Sequence, residues 1–171
     1  MGTSMASVAF RRTDAVNWDV VKPQILDMFD GIDGLVSNLD QNVNGYAIVS
    51  PYGDMGMFLA ELPEKISALT DDYAVMCVCV DSDFALLELY KSGTMLEECM
   101  VGEAYDDFDG TLCTNRADMR LWKLLLTNPE QLDELADAMY REDIFVEDQL
   151  RDITRITGLP IFDDTLVYEA P

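Results

Sequence analysis

YAVMCVCVDSDFALLELYKSGTMLEECMVG, residues 73–102, decides the architecture. Tyr73–Val80 is apolar on both alternating faces, the pattern of a central strand covered on each side. Asp81-Ser82-Asp83 supplies turn chemistry. Phe84–Lys91 then alternates, with Phe84, Leu86 and Glu88 on one face and Ala85, Leu87 and Leu89 on the other. Ser92-Gly93 forms a second tight turn, and Thr94–Val101 a third strand. Connections this short join antiparallel neighbours, so residues 72–102 read as a β-meander. Glu97 and Glu98 interrupt the apolar pattern of the third strand, as an edge strand tolerates.

Before the meander, Ser7–Arg11 reads as a short strand. Trp18, Val21, Ile25, Met28 and Phe29 follow at helical spacing, and the helix either starts near Pro23 or bends there. Gly31 and Gly34 end it. Asn42-Val43-Asn44-Gly45 is a turn ahead of a strand over Tyr46–Val49, which Pro51 and Gly53 break. Met55–Leu69 reads as a helix with Pro63 at its centre.

After the meander, Ala104–Gly110 is an acidic loop. Asn115 is positioned to cap a helix with Met119, Trp122 and Leu126 on one stripe. Asn128 caps the next, with Pro129 at its first position and Leu132, Leu135, Ala136 and Met139 as the buried face. A last helix spans Val146–Thr157, with Glu147 and Asp148 in its first turn, Arg155 in its last, and Gly158 and Pro160 beyond it. Leu166–Tyr168 reads as a final strand. The class is α+β: an antiparallel sheet, with its central meander at about 72–102, packed by helices, and a C-terminal helical segment at about 115–157. Met5 reads as a second start, so Met1–Ser4 is a short leader and residues 5–171 are one domain.

The 171 residues carry 33 acidic and 11 basic side chains, a net charge of −22, and no histidine. Histidine-based triads, metal sites and proton shuttles are excluded. The charge argues against direct nucleic-acid binding, which needs clustered Lys and Arg. The apolar fraction of 49% is too high for a disordered acidic chain. The longest apolar run, Ala74–Val80, is far short of the ~20 residues of a membrane span, so no membrane association is expected. Cys77, Cys79, Cys99 and Cys113 lack paired Cys-x-x-Cys knuckles, and they read as core thiols in a reducing cytoplasm rather than zinc ligands.

Asp40-x-Asn42-x-Asn44-Gly45 matches the first half of an EF-hand loop. Its twelfth position is Pro51 instead of Glu, so an ordinary Asn-Gly turn is favoured. Asp81, Asp83 and Glu88 are candidates for paired catalytic carboxylates, but acids this abundant pair by chance. No catalytic residue, metal or cofactor is therefore expected.

Asp81-Ser82-Asp83, Lys91-Ser92-Gly93, Trp122 with Leu124-Leu125, and Gly158-Leu159-Pro160 together resemble a family of poorly characterised bacterial proteins. The resemblance covers about Tyr73 to Pro160 and is to small cytoplasmic immunity or accessory proteins of the polymorphic-toxin type. It implies a small α+β domain and carries no catalytic residues. A charge of −22 exceeds what solubility needs and suits steering of a basic partner. The expectation is a non-enzymatic acidic interaction protein of immunity type that binds a basic toxin or other basic protein. Its expected contact residues are Glu97, Glu98, Tyr105, Asp106, Asp107, Phe108 and Asp109. The alternatives are a DNA-mimic inhibitor of a nucleic-acid-binding protein, a carboxylate-dependent enzyme, and a structural subunit. A tight homodimer would have to overcome the repulsion of two such chains.

Overall fold

The computed structural model describes residues 4–28, 30, 36–39, 45–50, 59–103, 105–106, 112–113, 115–142 and 145–164. The chain runs β1 (Met5–Arg11), α1 (Trp18–Met28), β2 (Val36–Ser37), β3 (Gly45–Ser50), α2 (Leu62–Thr70), β4 (Tyr73–Val80), β5 (Phe84–Lys91), β6 (Thr94–Gly102), β7 (Tyr105–Asp106) and β8 (Leu112–Cys113). A single turn, α3 (Met119–Trp122), continues as 3₁₀ helix to Leu125. A second 3₁₀ turn at Pro129–Gln131 leads into α4 (Leu132–Tyr140), and α5 (Val146–Thr157) follows.

Six strands form one sheet in the order β2-β3-β1-β4-β5-β6, and every pairing is antiparallel. The two-sided apolar pattern of β4 has the expected cause. Val75, Cys77 and Cys79 are buried on one face with Leu87, Leu89, Cys99 and Val101, beneath Trp122, Leu135, Met139, Leu150 and Ile153. Ala74 and Met76 are buried on the other with Val8 and Phe10, beneath Val21, Ile25, Leu62 and Ile66. The sheet therefore lies between an α1–α2 layer and a C-terminal helical layer. This is the α+β class that the sequence pattern indicates.

The meander turns are as tight as their sequences imply. Asp81 and Ser82 take φ of 49° and 66°, and the Asp83 amide closes the turn on the Val80 carbonyl at 3.0 Å. Ser92 and Gly93, at φ 48° and 81°, join β5 directly to β6. Positive φ at both central residues matches the right-handed twist of the flanking strands. The second turn is latched to α2, because the Gly93 amide donates to Ser67 Oγ at 2.9 Å and Ser92 Oγ to Asp71 at 2.6 Å.

Several elements differ from the sequence expectation. Helix α1 starts at Trp18, capped by Asn17, whose Oδ1 accepts from the Asp19 amide at 3.2 Å. Pro23 lies within it and is exposed, as is Asp19, so the helix bond that the proline cannot donate is missing on the solvent side. Helix α2 begins at Leu62, so Pro63 occupies the first turn rather than the centre, where its missing N–H costs nothing. The cap before Trp122 is Asp118, whose side chain accepts from the Arg120 amide, and not Asn115. That helix is one α-turn before it tightens to 3₁₀, so Leu126 falls beyond it. The buried face of α4 is Leu135, Ala138 and Met139, while Leu132 and Ala136 are only partly covered.

Within the expected acidic loop, Tyr105 and Asp106 form strand β7, which pairs with β8. The remaining expectations at residues 40–44, 51–58, 107–110 and 165–171 lie outside the described residues. Asn128 does cap the turn before α4, accepting from the Glu130 amide at 3.1 Å. Gly45 opens β3, and a side chain there would meet the Pro160 ring at 2.4 Å. Its need is thus close approach to the Gly158–Pro160 segment.

Candidate functional site

The expected contact residues fall on different parts of β6 and beyond. Glu97 and Glu98 are neighbours in an extended strand, so they face opposite sides of the sheet. Glu97 turns toward the helical layer. Its Oε2 accepts from Trp122 Nε1 at 2.5 Å and its Oε1 from the Asp118 amide at 2.8 Å. This carboxylate fastens α3 to the sheet edge. Glu98 is exposed on the other face, directly opposite Glu88 in the β5–β6 register. Glu88 accepts from the Tyr90 hydroxyl at 2.8 Å. Burial first, and then the Glu88 carboxylate, push the Tyr90 phenol up from its ordinary value. Tyr105 and Asp106 follow β6 as strand β7, and Asp107, Phe108 and Asp109 lie outside the described residues.

Among the described residues, strand β6 ends the sheet, and only part of it is covered. The Met100 amide donates to the Asn115 carbonyl at 2.8 Å, and Arg116 donates to the Gly102 carbonyl at 3.2 Å. Residues 115–118 thus line the upper half. In the lower half Thr94, Met95, Leu96 and Glu98 are exposed, Met95 by 51% and Leu96 by 38%.

The candidate catalytic carboxylates do not converge. Asp81 and Asp83 sit exposed in one turn, and Glu88 lies five residues along β5, about 16 Å away. Cys77, Cys79 and Cys99 are buried thiols in the core. Burial pushes Cys79 up to about 12 and raises Cys77 and Cys99 as well, so these thiols are unreactive at neutral pH. Among the described residues, no group of His, Cys, Asp and Glu is arranged to hold a metal ion. A wide-open cavity of about 200 Å³ lies where β1 runs into α1, and Arg12 at its rim stands 6.0 Å over the Trp18 ring.

Three polar features escape a reading of the sequence. Glu147, in the first turn of α5, is buried and accepts from Ser82 Oγ at 2.5 Å. The Val146 amide donates to the Ser82 carbonyl at 2.9 Å, so the β4–β5 turn serves as the N-terminal seat of α5. Arg11, at the end of β1, donates to the carbonyls of Leu125 and of Thr157, the latter at 2.6 Å. It thereby closes the C-terminal end of α5. Each pairing joins residues far apart in sequence, which local periodicity does not register.

The charges are unevenly distributed. At least seven of the eleven basic residues pair with carboxylates of the same chain: Lys65, Lys91, Arg116, Arg120, Arg141, Arg151 and Arg155. Residues 71–103 hold eight acidic side chains and a single basic one, Lys91, which pairs with Asp72 at 3.4 Å. Among the described residues, no helix is long and apolar enough to cross a membrane. In comparison with known proteins, the chain matches no family model, no curated protein and no solved structure.

Proposed function

We propose that the chain is a non-enzymatic interaction protein that holds a basic protein partner against its acidic meander side. The observation behind this is the use of the cations. Most of them pair within the chain, chiefly in the C-terminal helical layer, and residues 71–103 hold eight acids against one lysine. A surplus of this kind raises the local concentration of a positively charged partner and speeds encounter. Glu98 and Glu88 on the sheet face, with Asp106, Asp107 and Asp109 in the segment after β6, are the proposed steering charges. Glu97 contributes less directly, since its oxygens already hold Trp122 and Asp118. The narrower form of the proposal is an immunity-type protein of a bacterial cytoplasm whose partner is a basic toxin. It is supported by the resemblance of residues 73–160.

Affinity capture from the source lysate at about 20 mM and about 500 mM salt tests the proposal, because the Debye length shrinks severalfold between them. Retention of a basic protein at low salt, and its release at high salt, is the expected result. Converting Asp106, Asp107 and Asp109 together to lysine should then slow association with that protein by about ten- to a hundredfold at low salt. An unchanged on-rate removes those three residues from the proposal, and the absence of any salt-sensitive basic partner overturns the proposal itself.

A further inference from the structure

Among the described residues, the lower half of β6 is an open sheet edge. Met100 and Gly102 direct backbone groups outward, to the Asn115 carbonyl and the Arg116 side chain. Outward and inward groups alternate along an antiparallel strand, so Glu98 also directs its N–H and C=O outward. The covering segment does not continue below Glu97, whose Oε1 it touches through the Asp118 amide. Among the described residues, nothing hydrogen-bonds across the edge from Thr94 to Glu98, and Met95 and Leu96 stand exposed beside it. Edges like this are templates for another strand unless charge, twist or cover blocks them. A register shift opposite Leu89 and Tyr90 leaves Leu96 as an extra residue, which twists the bottom of the edge but leaves Glu97–Gly102 regular.

Charge selects the occupant. A second copy of the chain brings a further net −22 to a strand whose exposed face already sets Glu98 opposite Glu88. An extended segment with Lys or Arg at alternate positions brings the opposite charge to the same face. We infer that Thr94–Glu98 receives an extended basic segment of the protein partner as an added strand of the sheet. Main-chain bonds at Glu98 would supply affinity, and alternate basic side chains reaching Glu98 and Glu88 would supply selectivity. This inference rests on the proposed basic partner and names how that partner is held.

The test uses the full chain and a capped peptide, Thr-Lys-Val-Lys-Val-Lys-Thr, followed by fluorescence anisotropy and amide hydrogen exchange. The peptide is expected to bind at low salt and to slow exchange of the Glu98 amide. Glu98→Pro removes the outward N–H at an edge position, where proline is tolerated, and should weaken binding at least about tenfold. Should Glu98→Pro fail to fold, the same peptide N-methylated along its bonding edge removes those bonds with the protein unchanged, and it should show the same loss. Binding unaffected by either change, or protection elsewhere without protection at Glu98, overturns the inference. A basic protein captured equally well by wild type and Glu98→Pro overturns the added strand while leaving the basic-partner proposal intact. A dimer of this chain by sedimentation that Glu98→Pro abolishes also overturns the inference, since the edge then belongs to a second copy.

Discussion

The meander and the C-terminal helical layer share one core but treat charge in opposite ways. Residues 71–103 carry eight acids and one cation, whereas residues 115–157 carry ten acids and six cations. In the helical layer at least five of the six cations are paired, and Asp152 links Arg141 to Arg155. Arg141 pairs with Asp152 at 2.6 Å, Arg155 with Glu134 at 2.7 Å and with Asp152 at 3.1 Å, and Arg151 with Asp164 at 3.1 Å. Exposed pairs of this kind add little stability, typically about 0–1 kcal/mol each. Their main effect is to lower the net field on that side. Residues 71–103, with the same buried apolar packing beneath them, have one cation, which Asp72 takes, while Glu97 is engaged by Trp122 and the Asp118 amide and Glu98 is exposed. The difference is therefore in what the surface presents and not in how the core is built.

The largest expected effect comes from breaking the joint between the two regions. Trp122 is fully buried and donates to Glu97 across the edge of β6. Trp122→Ala should cost about 3–5 kcal/mol, seen as a lower urea midpoint. Trp122→Phe sharpens the point: it keeps most of the apolar volume but removes one donor to a half-buried carboxylate, for about 1–3 kcal/mol. If Trp122→Phe is neutral, Glu97 is not a fastening residue and is free to face a partner.

Gly102 comes next. Its φ is +89°, and a side chain there would stand 2.6 Å from the Asp83 carbonyl oxygen and 2.9 Å from Phe84 Cα. Both contacts are backbone and cannot swing away. Gly102→Ala should cost about 1–3 kcal/mol and disturb the turn that seats α5, so loss of helical signal should accompany loss of the hairpin. A loss confined to the hairpin would show that the two regions are less tightly coupled than the Val146–Ser82 bond implies.

How much of this the sequence carried depended on the range of the contact. The meander was legible because its determinants are local: alternation in Phe84–Lys91, two-residue turn chemistry at Ser92-Gly93, and a doubly apolar strand at Tyr73–Val80. Val146–Thr157 was legible for the same reason, with its stripe, first-turn acids and terminal Gly158 all in one window. Asn115 was mistaken for a cap because a cap is known by the backbone that follows it, and Asp118 is also a capping residue three positions on. Of the expected contact residues, the edge position of Glu97 and Glu98 was readable, but the division of their labour was not. It depends on Trp122 arriving from 25 residues away. Nothing in a local window distinguishes a carboxylate that anchors a helix from one that faces solvent.

Acid should expose the charge-paired layer in a way that can be followed residue by residue. The Arg120 side chain, and then its backbone amide, hold the Asp118 carboxyl down at about 2. Arg141 likewise lowers Asp152, and Arg155 lowers Glu134. A depressed carboxylate stabilises the fold fully above its unfolded value, ~3.9 for Asp, and that contribution is lost as pH falls through the folded value. The window for Asp118 is therefore pH 4 to about 2. Carboxyl NMR should place its midpoint near the bottom of that window, and Arg120→Gln should return it toward the ordinary aspartate value. A midpoint unmoved by Arg120→Gln would mean that the pairing does not persist in solution.

The smallest expected effect bears most directly on function, and it concerns Glu98. Glu88 and Glu98 stand directly opposite each other on one face, a like-charge arrangement that strands avoid. Glu98→Lys turns it into an opposite-charge pair at an exposed site and should stabilise the chain by about 0.2–1 kcal/mol at low salt. The gain should shrink as salt is raised, because screening weakens both the original repulsion and the new attraction. Urea midpoints at two salt concentrations measure this. The same change should weaken binding of the proposed basic partner by placing a positive charge on the edge inferred to receive it. The two readouts are then opposed, with a more stable fold and poorer binding. If instead Glu98→Lys stabilises the fold and leaves association untouched, the steering charges lie elsewhere along the chain, and Asp106, Asp107 and Asp109 become the charges to reverse.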